Sequence, residues 1–146
     1  MTRSIVLIAG MAVCASAALA QNVEVIKSRQ AIYKSMAAAT KTPADMLKGA
    51  APYDQKTVQA ALDIYVDAAK KLPTLFPDDS KTGEKTQALP AIWEHKDDFN
   101  ARFAKFGQDA AAAKALITDE ASLKAQFPKV LANCGGCHKV YRAKDE

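Results

Sequence analysis

The pentapeptide Cys134-Gly135-Gly136-Cys137-His138 places two thiols three positions apart and an imidazole directly after the second. Whatever the chain folds into must present those groups together. Thiols at this spacing reach the two vinyl groups on one edge of a haem and bond to each, and the adjoining imidazole is carried beneath the ring to bind the iron. Three other uses of the same residues fit less well. A redox dithiol wants its Cys-x-x-Cys after a strand in an α/β unit. A tetrahedral zinc site needs a fourth ligand and would find Cys137 and His138 awkwardly adjacent. A disulfide across so small a loop contributes little stability. The pentapeptide therefore reads as covalent attachment of one haem c through Cys134 and Cys137, with His138 as an axial ligand.

The N-terminus fits an exported haem protein. Arg3 gives a basic start, Ile5 to Ala12 is an apolar run, and Ala18-Leu19-Ala20 is a small-residue cleavage site before Gln21. Residues 1–20 read as a signal peptide that is removed and residues 21–146 as one haem-binding domain, soluble in the periplasm. The apolar run is too short for a convincing membrane span. Cys14 is discarded with the leader, because Met11-Ala12-Val13 lacks the pattern of a lipoprotein site. The formal charge of +4 comes from Lys and Arg mixed with Asp and Glu, which is no nucleic-acid footprint.

Turn signals divide the remainder into four segments with apolar residues at helical spacing, none with a sustained period of two. The first runs from about Val23 to Thr40, with Pro43 making continuation uncertain. Asp54 caps the second, whose Val58, Leu62, Tyr65, Ala69 and Leu72 share a stripe until Pro73 and Pro77 stop it. Pro90 suits the first turn of the third, which continues through Ile92, Phe99, Phe103, Phe106, Ala110 and Ala113. Thr118, Asp119 and Glu120 open the fourth, with Pro128 expected to bend it or delay its regular part. The fold class is all-α, an antiparallel four-helix bundle of up-down-up-down order with covalently attached haem. His95 reads as part of a solvated face and Trp93 as packing.

With its leader, four-helix pattern and late haem motif, the chain resembles the cytochrome c prime family. The haem motif continues as His138-Lys139-Val140-Tyr141-Arg142. Arg29-Gln30, Lys48-Gly49-Ala50-Ala51-Pro52-Tyr53-Asp54 and Pro90-Ala91-Ile92-Trp93 match the family's other signatures in order. The resemblance implies covalent haem at Cys134 and Cys137 and proximal ligation by His138. It brings Arg29 and Gln30 to the propionate edge, Gln87 and Ala88 beside them, and the charge of Arg142 next to the imidazole.

The resemblance also places Tyr33 over the distal face. High-spin members carry a bulky non-ligand there and keep five-coordinate iron, whereas low-spin relatives use a methionine from the same helix. Tyr33 therefore points to a five-coordinate haem that binds small neutral diatomics, nitric oxide and carbon monoxide, and can also exchange electrons with periplasmic redox proteins. Met36, on nearly the same face, is the sixth ligand in the alternative, a low-spin electron carrier; a methionine on an inward stripe more often fills the core. Met46 is a weaker candidate still. Helix one offers no His to cleave an oxygen–oxygen bond, so the chain does not read as an enzyme. Family members often pair through their first two helices, which makes a homodimer one expected arrangement.

Overall fold

A computed structural model of the chain describes residues 14–144. Most of the expected leader, residues 1–13, lies outside the described residues. The described chain forms helices α1 (Cys14–Leu47), α2 (Gln55–Lys71), α3 (Ala91–Glu94), α4 (Lys96–Leu116) and α5 (Glu120–Tyr141). The four long helices build the expected bundle: α2 packs against α1 and α4, and α4 against α5. By contrast, α1 and α5 touch only sparingly, so one seam of the bundle is loose. The seam decides where a ligand can sit.

Helix α1 runs beyond its expected end at Thr40, with Pro43 inside it and fully buried. The proline forfeits one backbone hydrogen bond near the end of the helix, and burial of its ring offsets that loss. Termination comes at Gly49, whose φ of +72° only glycine adopts readily. There the Gly49 N–H donates to the Met46 carbonyl at 3.0 Å and the Ala50 N–H to Asp45 at 2.9 Å, a Schellman closure. Met46 itself is 2% exposed in the core, which removes it as a ligand candidate.

Asp54 caps α2 by accepting from the N–H groups of Lys56 and Thr57 at 3.3 and 3.1 Å. The five apolar positions expected on its inner stripe are all buried. The third expected helix is broken in two at His95, whose φ of −124° and ψ of 50° separate α3 from α4. Long-range bonds flank the break. Trp93 Nε1 donates to the Phe76 and Pro77 carbonyls at 3.1 Å each, and Lys96 Nζ to Phe76 at 2.6 Å. The turn thus follows the preceding loop, and His95 stays exposed.

Helix α5 starts with a capping box: the Ser122 N–H donates to the Asp119 carboxylate at 2.7 Å, and the Asp119 N–H to Ser122 Oγ at 3.0 Å. It continues through Pro128, so its regular part is not delayed. Its C-terminal end is fastened to the α2–α3 connection. The Leu89 N–H donates to the Tyr141 carbonyl at 3.1 Å, and the Ala143 N–H to Gln87 at 2.8 Å.

Candidate functional site

The loose α1–α5 seam opens into a cavity of about 730 Å³, within the range of cofactor sites. Apart from Met46, every residue nominated from the sequence lines it: Arg29, Gln30, Tyr33, Met36, Gln87, Ala88, Cys134, Cys137, His138 and Arg142. Sequence reading missed its aromatic wall. Phe76, Phe99, Phe103 and Phe106 face the cavity, the first three in edge-on contacts with Phe76–Phe99 centroids 4.9 Å apart and Phe99–Phe103 5.0 Å, while Phe106 lies tilted against Tyr65 at 5.5 Å. The spacing of Phe99, Phe103 and Phe106 had marked a core stripe, and they are both core and cavity wall.

Helix α5 brings the pentapeptide to one side, since Cys134, Cys137, His138 and Tyr141 recur at three- and four-residue spacing. Both cysteines are free and half-buried. Burial raises the pKa of each thiol, with nearby Arg102 opposing the shift at Cys137. These are neutral thiols, not the activated thiolates of a redox dithiol. Desolvation lowers the pKa of His138, and the Arg142 cation lowers it further. The imidazole is therefore biased toward its neutral, metal-binding form. Neither Gly135 nor Gly136 lines the cavity, and a Cβ at either meets no protein atom within 4 Å.

Arg29 is only 2% exposed. Its Nη1 donates to the Leu75 carbonyl at 3.1 Å and to Ser80 Oγ at 2.9 Å, and its Nη2 donates to the Ser80 carbonyl and Thr86 Oγ1 at 2.9 Å each. The guanidinium carbon also stands 4.5 Å from the Phe76 ring centroid. Arg29 thus fastens the connection between α2 and α3 while its charge, matched by carbonyls and hydroxyls alone, remains at the cavity wall. Gln30 Nε2 donates to the Glu84 carbonyl at 2.9 Å. Gln87 Oε1 accepts from Arg142 Nε at 2.8 Å, and Ala88 pairs with Arg142 in an isolated antiparallel bridge.

The α1 wall presents Tyr33, Met36, Ala37 and Thr40. Thr40 Oγ1 donates to the Met36 carbonyl at 2.7 Å, so the 2.5 Å contact between Thr40 Oγ1 and Tyr65 Oη takes its proton from the tyrosine. A second network borders the pentapeptide. Tyr141 Oη donates to Asp98 Oδ2 at 2.5 Å, Arg102 Nε donates to the same oxygen at 2.6 Å, and Arg102 Nη1 reaches the Gly136 carbonyl at 3.3 Å. Its Asp98–Arg102 arm is a local i,i+4 pair on α4, whereas Tyr141 and the Gly136 carbonyl join it from α5 with no local spacing to announce them.

The residues present fit a haem. The cavity joins an apolar, aromatic interior to two uncommitted thiols and an imidazole on one helix. Cations line it at Arg29, Lys34, Lys85, Arg102 and Arg142, and no carboxylate does among the described residues, which suits a planar apolar ring carrying acidic substituents.

Comparison with known proteins gives a consistent result. The family model described as Cytochrome C' matches residues 24–142. The cytochrome c' of Rhodopseudomonas palustris is 52% identical over 137 residues, covering 94% of each chain. A cytochrome c-556 of Agrobacterium tumefaciens is 38% identical over 120 residues, covering 82% of this chain and 97% of its own length. A solved structure of cytochrome c' from Rhodopseudomonas palustris superposes with a TM-score of 0.82 at 54% identity, covering 84% of this chain and 98% of its own.

Proposed function

The chain belongs to the cytochrome c' family of haem c proteins for electron transfer and gas binding, and from that premise we propose that it is a periplasmic five-coordinate haem protein that binds nitric oxide and carbon monoxide. Cys134 and Cys137 hold the haem through thioether bonds and His138 supplies the axial nitrogen. The bound iron supplies an open coordination position and a one-electron redox couple. Desolvation, aided by the Arg142 cation, biases the imidazole toward its neutral form, and Arg29, beside Gln30, puts positive charge on the cavity wall that would meet the acidic substituents of the ring. The Gln87–Arg142 bond and the Ala88 bridge hold the C-terminal end of α5, and so His138, against the α2–α3 connection. Residues 1–20 are removed on export, leaving 21–146 as the haem domain. No helix among the described residues is long and apolar enough to cross a membrane. Exchange of electrons with periplasmic redox proteins and a homodimer through α1 and α2 complete the reading.

The observation that carries it is the α1 wall facing His138, where Tyr33 stands in the cavity as the bulky group. Met36, half-buried on the same wall, supports the second reading, a six-coordinate low-spin electron carrier. Absorption spectra in both oxidation states, before and after nitric oxide and carbon monoxide, separate them. A high-spin ferrous spectrum converted by either gas supports the first. A low-spin six-coordinate spectrum without added ligand, becoming high-spin in Met36→Leu, supports the second and sinks the first.

A further inference from the structure

Three tyrosines line the cavity, and their protons are not equally available. Tyr65 donates to Thr40, whose own proton goes to the Met36 carbonyl. Tyr141 donates to Asp98. Tyr33 alone has no hydrogen-bond partner among the described residues. It stands on the wall facing His138, where Met36 and Ala37 offer no donor from their side chains. We propose that the Tyr33 hydroxyl is the hydrogen-bond donor to a diatomic held opposite His138, and that it selects ligands whose outer atom accepts a hydrogen bond. The assignment rests on the five-coordinate reading and adds a polar basis for selection to the bulk of the ring.

The phenol is suited to donate. Although 36% of the residue stays exposed, desolvation at the cavity wall raises its pKa, with Arg29 opposing the shift, so its proton stays in place across the working range. With Thr40 and Tyr65 bonded to each other, Tyr33 is the α1 hydroxyl left with a proton to give, one turn from the apolar side chains of Met36 and Ala37.

Tyr33→Phe keeps the ring and removes only the hydroxyl. In the holoprotein, the infrared stretch of bound carbon monoxide should rise in the variant and lose the shift on transfer to D₂O that the parent shows. Nitric oxide should leave the variant about fivefold faster, the size of one neutral hydrogen bond. An unchanged stretching frequency together with unchanged nitric oxide release overturns the donor assignment while leaving gas binding intact. Failure of parent and variant alike to form a carbon monoxide adduct overturns the five-coordinate reading, and the assignment falls with it.

Discussion

Arg29 shows how much one residue does here. A guanidinium at 2% exposure without a carboxylate partner is tolerable only because hydroxyls and carbonyls occupy its donors and a phenyl face lies against it. Lysine keeps the charge but cannot serve Leu75, Ser80 and Thr86 from one planar group. Arg29→Lys should therefore destabilise the protein by about 2 kcal/mol in urea unfolding, with protease sensitivity rising within residues 72–88. Stability within error of the parent would show that the connection holds itself. The family signature marked Arg29 for the propionate edge of a haem, and the structure puts it on the cavity wall. Its structural duty was hidden, because Ser80 and Thr86 lie in a polar loop where any of several residues has the required chemistry. Trp93 was hidden likewise: its indole needed an acceptor, and the Phe76 and Pro77 carbonyls that serve it belong to the backbone.

At the scale of helices, starts were more legible than ends. Asp54 and Asp119 were readable as starts because capping is a short-range code written in side chains. The extension of α1 through Pro43 and the break at His95 depend on tertiary burial and on bonds from Trp93 and Lys96 to a distant loop, which no local window contains. The two caps also make a prediction about pH. Hydrogen bonds from Ser122 lower the Asp119 pKa, as the hydrogen bond from Thr57 does for Asp54. A carboxylate with a lowered folded pKa contributes stability above its unfolded value, about 3.9, and loses that contribution as pH falls through the folded value. Asp119→Asn retains an acceptor for the cap but does not titrate. Urea midpoints of the variant should track those of the parent at neutral pH and fall less steeply below the ordinary carboxylate range. Parallel acid limbs would show that the Asp119 charge plays no part in the acid sensitivity.

For the whole molecule, the four-helix class was legible from periodicity, but the loose α1–α5 seam was not, since periodicity identifies an inner face without saying how far the facing helix stands. The fastening of α5 to the α2–α3 connection was equally invisible, because the donors are the backbone N–H groups of Leu89 and Ala143. That seam makes the cofactor part of the core. Phe76, Phe99, Phe103 and Phe106 present apolar surface to a cavity of about 730 Å³, and a volume of that size left to water forfeits much of the hydrophobic stabilisation that a bundle relies on. A ring held covalently by Cys134 and Cys137 would cover those faces, acting as a ligand that favours the folded state without dissociating. The Cys134→Ala, Cys137→Ala double variant removes both attachment points while leaving His138 in place. Its haem-free form should keep helical far-UV dichroism but unfold broadly, bind a hydrophobic dye, and lose at least about 4 kcal/mol, the stabilisation of a ligand present at a thousandfold over its Kd. A sharp transition at the parent's Tm would mean that the helix contacts alone carry the fold. Added free haem makes the comparison quantitative: partial recovery of the transition in the double variant measures what His138 and the aromatic wall contribute, and the remaining deficit is what covalent attachment supplies.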